Sequence, residues 1–262
     1  MSEAVRTIPQ PDVATAPAQA PAEQAASTPE RDAQLKELFG VDYDYAHDSG
    51  IIDMFDYRPA EGVDGLMHTF AGDVETGGFH HEPSGKVLGN VTLPNGEEVP
   101  AREVDRSHLE GANSAHSRWY KERPAEPFLA KIALDGRPKM QLTKAPNGEQ
   151  HLMHTRNAMF PNEYDALGVA QAVRQAVNTQ DESKARASVD SYGEPVVVTQ
   201  GEAVLIDGVS KMPIRLILNA DTKRVKAAFP MISGKKGIMD LEPEQMWAHA
   251  TGSPASQQNL HK

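Results

Sequence analysis

Three features of this 262-residue chain predict an α+β fold, a compact domain in which antiparallel sheets pack against a few helices. The first is a set of β-branched segments in the last third, "PVVVTQGEAVLID", "KMPIRLILNA" and "TKRVKAAFPMI". Each is bounded by Gly, Pro, Asn or Asp, and together they read as a three-stranded meander. The second is an amphipathic helix ahead of them. After Pro161-Asn162, the stretch "EYDALGVAQAVRQAVN" sets Tyr164, Leu167, Ala170, Val173 and Val177 on one face at steps of three and four, a face expected to lie on a sheet. The third is the contrast between the middle of the chain and its ends. Residues 1–32 are rich in Ala, Pro, Gln and Glu with almost no large apolar side chain, so they cannot offset the entropy of ordering and read as a disordered leader. Residues 241–262 read as a polar tail, leaving one folded domain over 33–240.

In chain order, "PERDAQLKELFG" has Leu35, Leu38 and Phe39 at helical spacing, acids in its first turn and Gly40 as a stop, which predicts a short helix. "VDYDYAHDSGIIDMFDYRPAEG" mixes aromatics with aspartates without a sustained period and reads as an irregular segment on the core edge. From Leu66 to about Leu93, short apolar runs broken by Gly and Pro suggest strands and tight connections. Within that stretch the Asn-Gly pair of "VTLPNGEEV" signals a hairpin. "PFLAKIALDGRPKMQLT" alternates as a strand, turns at Asp135-Gly136 and continues into a second strand. "TQDESKARAS" is polar and carries no element, and no internal repeat is present.

The chain has no cysteine, which removes disulfides, zinc–thiolate sites and a thiol nucleophile. No segment approaches the roughly 18 consecutive apolar residues of a membrane span, and the start lacks the basic and apolar regions of a cleavable secretory signal. A soluble protein is expected. The net charge of -11 argues against a nucleic-acid ligand until its distribution is considered. Residues 1–65 hold 4 Lys+Arg against 13 Asp+Glu, whereas residues 184–236 hold 9 against 5. The acidity belongs to the N-terminal part, and the remainder is free to present phosphate with a basic face.

The chemistry concentrates in "GLMHTFAGDVETGGFHHEP", Gly65 to Pro83, where His68, His80 and His81 lie among glycines. Histidine titrates near neutrality, so such a cluster can hold an acid and a base together. Gly65-Leu66-Met67-His68-Thr69-Phe70-Ala71-Gly72-Asp73-Val74, followed by Gly77-Gly78-Phe79-His80, resembles the paired-histidine signature of EndoU-type ribonucleases. Arg156-Asn157-Ala158-Met159-Phe160-Pro161 resembles the bacterial Lys-x-Ser-Thr-Phe-Phe-Pro segment of that family, and Val225-Lys226-Ala227-Ala228-Phe229-Pro230 its terminal Thr-Ala-Tyr-Pro strand. The likeness runs from Gly65 to about Pro230 in the family's order.

The resemblance implies an endoribonuclease, used as a bacterial toxin or effector, that cuts RNA such as tRNA by 2′-hydroxyl attack and leaves a 2′,3′-cyclic phosphate. His68 and His80 would be the acid–base pair, and Arg156, in the place of the family's lysine, the cation that stabilises phosphorane charge. Phe229, Lys226 and Trp119 are the candidate substrate-binding residues, the aromatic rings by stacking. Lys226 alternates to the face opposite Ala227, and Lys144 is a further candidate cation. The family's Thr and Tyr hydroxyls are missing at Ala227 and Phe229. No cofactor and no metal is implied. The partners implied are RNA and an immunity protein, with action in the cytoplasm of a target cell. His81 is expected to face away from the site as a peripheral residue, and His116 lies among the basic and aromatic residues around Trp119. Two other readings stay open: a non-catalytic RNA- or protein-binding relative, and a metal-dependent hydrolase with His68, His80 and Asp73 or Glu82 as ligands.

Overall fold

The computed structural model describes residues 25–72, 78–105, 126–134, 136–144, 149–154, 156–190, 192–205 and 208–232. Asp73, His116, Trp119 and the polar tail lie outside these residues, as does the leader through residue 24. The described chain mixes helices with antiparallel sheets, as its patterning predicts.

Helix α1, Pro29–Phe39, begins where Thr28 caps the Arg31 amide and ends at Gly40. Its first turn falls inside the stretch assigned to the leader: Arg31 is buried and pairs with Asp64 at 2.6 Å, so the folded part starts earlier than composition indicates. The aspartate-rich segment that follows is more ordered and more central than its lack of period suggests. It forms the short helix α2, Tyr43–Asp48, then β1, Tyr57–Arg58, which pairs with β2, Val63–Asp64. Ala46, Ile51 and Phe55 from this segment are wholly buried in the main core. A period is missing because the chain turns every few residues, and each turn drops one apolar side chain inward.

The largest correction concerns Leu66 onward. Gly65–Phe70 is helix α3, not a strand, because Asp64 accepts the Leu66 and Met67 amides at 3.1 Å and starts a helical turn. A 3₁₀ segment spans Glu82–Leu88. The Asn-Gly signal is matched by the hairpin of β3, Asn90–Thr92, and β4, Glu98–Pro100. Strand β5, Arg102–Asp105, pairs with β6, Phe128–Leu134, and β6 turns through Gly136 into β7, Arg137–Pro138. Strands β8, Met140–Lys144, and β9, Gln150–His154, form a separate hairpin. Strand β10, Arg156–Met159, returns to the other edge of β6. Phe79, Phe128, Ile132 and Met159 form a second, smaller core on this sheet.

Helix α4, Ala166–Asn178, starts later than Pro161 because Asp165 is its cap, accepting the Gly168 amide at 2.7 Å. Its inward face, Val169, Ala170, Val173 and Ala176, lies against β12; Ala170 and Val173 belong to the expected stripe, whereas Leu167 and Val177 are only partly buried and Tyr164 precedes the helix. The approach is so close that a Cβ at Gly201 would sit 1.9 Å from the Ala176 carbonyl oxygen. The three anticipated strands are β12, Pro195–Val204, β13, Lys211–Asn219, and β14, Val225–Pro230, joined as a meander. A fourth strand, β11, Arg186–Val189, extends the sheet at its free edge from the stretch read as having no element. Its Ala187 and Val189 alternate with Arg186 and Ser188 over only four residues, all of them exposed, too short a run for a strand to be recognised.

Candidate active site

One face of the β11–β14 sheet carries α4, and the other opens into a cleft of about 330 Å³. Strand alternation puts Val196 and Val198 of β12, Arg215 and Ile217 of β13, and Ala227 and Phe229 of β14 on the open face. Helix α3 closes one side and contributes His68 to the lining. It is fixed to β14 by the buried Thr69 hydroxyl, which accepts the Ala228 amide at 3.1 Å, and by Asp56, whose amide donates to the Val225 carbonyl and whose carbonyl accepts the Gly65 amide.

The second histidine arrives by a strap of backbone laid along the end of α3. The Phe79 amide donates to the His68 carbonyl at 3.0 Å, and the His80 amide to the Thr69 carbonyl at 2.9 Å. Both Gly78 and Phe79 hold positive φ, 68° and 63°, which turns the strap sharply enough to bury the Phe79 ring in the second core. Phe79 is therefore the anchor and His80 the side chain that the anchored turn delivers. Asn157 of β10 secures the turn from the other side, donating to the Gly78 carbonyl at 2.7 Å.

His80 Nδ1 donates to the Ala158 carbonyl at 2.7 Å. A carbonyl oxygen only accepts, so the proton sits on Nδ1 and Nε2 keeps its lone pair. The ring stacks on Phe229, with centroids 5.1 Å apart and planes 28° from parallel. By surface area His80 is only half-buried, yet burial pushes its imidazole down to about 3, opposed by the Ala158 carbonyl and aided by the neighbouring His68 and Lys139. The group is a neutral acceptor throughout the physiological range.

His81 corrects its expectation in part. It does leave the site, but inward: it is 1% exposed, with its Nε2 donating to the Tyr164 carbonyl at 2.9 Å and its Nδ1 accepting from Ser84 at 2.6 Å. Burial pushes it down to about 4. It is a structural histidine tying the strap to the chain ahead of α4. Glu82, a candidate metal ligand, takes the Asn162 amide. Among the described residues no three His, Asp or Glu side chains gather at metal-binding distance.

The structure brings His68 and Phe229 into one cleft, stacks His80 on Phe229 outside the residues that line it, and adds two arginines that residue spacing does not single out. Arg215 is 5% exposed on the cleft floor, and Arg186 of β11 lies at its outer rim. Arg215 was visible in principle, as a charge in the otherwise apolar strand "KMPIRLILN". Lys226 does not turn to the opposite face. A bulge pairs Ile217 with Ala227 and Leu218 with Val225, leaving Lys226 out of the ladder, and its ammonium reaches Asp190 and Glu194 on the cleft side. Arg58 joins the same network through Glu194 at 2.6 Å. Arg156 opens β10, two residues before the carbonyl that holds His80, and its backbone pairs with Lys131.

No protein-family model, curated protein or solved structure matches this chain. Among the described residues no helix is long and apolar enough to cross a membrane.

Proposed function

We propose that this protein is an endoribonuclease that cleaves RNA by attack of the 2′-hydroxyl on the adjacent phosphate. The observation that carries the reading is the strap. Its backbone hydrogen bonds tie the His80 turn to the end of the helix that carries His68; His68 lines the cleft, and His80, with its proton held on Nδ1, stacks on Phe229, which lines it too. In the reaction His80 Nε2 takes the 2′-hydroxyl proton, the 2′-oxygen bonds to phosphorus, the bond to the 5′-oxygen breaks, and His68 delivers a proton to that leaving oxygen. The products are a 2′,3′-cyclic phosphate and a 5′-hydroxyl end. Each proton transfer is typically worth roughly 10²–10⁴-fold. Cationic stabilisation of the phosphorane falls to Arg156, and Arg215, which lines the cleft opposite Phe229, is the alternative. Phe229 offers a stacking surface beside the base. A toxin or effector setting, with RNA as substrate and an immunity protein as partner, belongs to the same proposal.

The test is incubation of the purified full chain with total RNA in chelator, with the new ends mapped. Cyclic phosphate ends that disappear in His68→Ala and His80→Ala support the reading, and intact RNA or chelator-sensitive cleavage overturns it. A second reading, binding without cleavage, is favoured by the missing hydroxyls at Ala227 and Phe229 and by the two carboxylates that hold Lys226. RNA retained on the protein without new ends would select it.

A further inference from the structure

The cleft extends well beyond the histidines. From β14, where Phe229 stacks on His80, to β11 is three strand spacings, about 14 Å at about 4.8 Å each. Its volume of about 330 Å³ is at the scale of a small-molecule or nucleotide site. The floor between the two ends is apolar, Val198 and Ile217 lying side by side in register, with Arg186 paired directly to Val198 on the next strand. At the outer end Tyr192 lines the cleft although 62% exposed, an aromatic ring left in water beside an apolar floor. The acids of the lining are committed elsewhere. Asp64 is held by Arg31 and the α3 amides, and Asp190 by Lys226 and the amides of Tyr192 and Glu194.

An apolar floor, an exposed ring at its edge and the Arg186 guanidinium alongside match a nucleobase with its phosphate. We propose that this outer part of the cleft is a nucleotide subsite, distinct from the histidine end, that holds a residue flanking the cleaved linkage. The base lies on Val198 and Ile217 with the Tyr192 ring stacking on it, and Arg186 receives its phosphate. The inference rests on the ribonuclease reading for the identity of the ligand. It assigns to β11 a purpose for its exposed arginine.

The test uses a fluorescein-labelled 2′-deoxy trinucleotide, which lacks the attacking hydroxyl, so that binding by the full chain is read by anisotropy without turnover. Arg186→Glu and Tyr192→Ala, both at exposed positions, are expected to weaken binding about tenfold or more, the scale of losing a base stack or a phosphate contact. Lys36→Glu, a charge reversal on α1, is the control and leaves binding unchanged. Absence of binding by the wild-type chain, or either test variant binding as tightly as wild type while folded by circular dichroism, overturns the subsite. If the expected binding pattern is seen but total RNA is never cut, the subsite stands and the ribonuclease reading fails. If RNA is cut while both variants bind normally, the subsite fails alone.

Discussion

Replacing Gly78 by Ala tests whether the strap sets the relation between the two histidines. At φ 68° the backbone is left-handed, which costs a residue with a side chain roughly 1–2 kcal/mol. The new Cβ would also lie 1.9 Å from the His68 carbonyl oxygen and 2.8 Å from its carbon. Both are backbone atoms, so relief comes only from lifting the strap off α3. That movement breaks the Phe79-to-His68 and His80-to-Thr69 hydrogen bonds, together worth about 1–3 kcal/mol. The total is about 3.5 kcal/mol from these terms. Gly50 supplies the control, since it has φ 71° with nothing within 4 Å and its substitution carries the backbone cost alone. Thermal unfolding followed by circular dichroism separates the two. At roughly 2–4 °C per kcal/mol for a domain of this size, Gly78→Ala melts about 7–14 °C below wild type and Gly50→Ala about 3–6 °C below. RNA cleavage measured below both transitions falls about a hundredfold in Gly78→Ala, the scale of an ångström-sized misplacement, and is unchanged in Gly50→Ala. Equal melting of the two variants with full cleavage by Gly78→Ala would refute the reasoning.

His81→Ala should keep cleavage at low temperature but lose about 1–3 kcal/mol of stability, because Ser84 and the Tyr164 carbonyl lose a buried partner; a melting curve alongside an RNA assay checks both. His80 and His81 are held at about 3 and about 4, below the 6.5 of a free imidazole, so the unfolded chain binds protons that the folded chain refuses. Stability from these groups is therefore full above pH 6.5 and falls as the pH drops toward 4 and then 3, which a series of melting temperatures across that window will show. For the same reason the acid limb of the cleavage rate contributed by His80 lies near pH 3, and an acid limb near neutrality in the wild-type protein would assign the base elsewhere. Arg156→Lys should retain substantial cleavage while Arg156→Gln loses far more, mainly in kcat, as expected of charge that matters in the transition state; wild-type turnover by Arg156→Gln removes it from the mechanism.

Sequence periodicity by itself determined the elements whose burial repeats regularly. The α4 stripe, the β12–β14 meander and the Asn-Gly hairpin were all legible because one face of each meets a continuous core or a turn of defined chemistry. His68 and His80 stand out in the sequence through their likeness to the paired-histidine signature. Only tertiary structure decided the rest, and the reason is the same in each case: the deciding partner is distant in the chain. The segment around Ala46 and Phe55 shows no period, yet it is central because short turns feed single residues into a core built from elsewhere. Strand β11 is four exposed residues long and exists because β12 offers it an edge. His80 and His81 are neighbours with the same side chain, but one meets the Ala158 carbonyl and Phe229 while the other meets Ser84 and the Tyr164 carbonyl. Lys226 reaches the cleft through a bulge that depends on how β13 and β14 pair. Local pattern records what a residue needs, and the fold decides which distant atoms supply it.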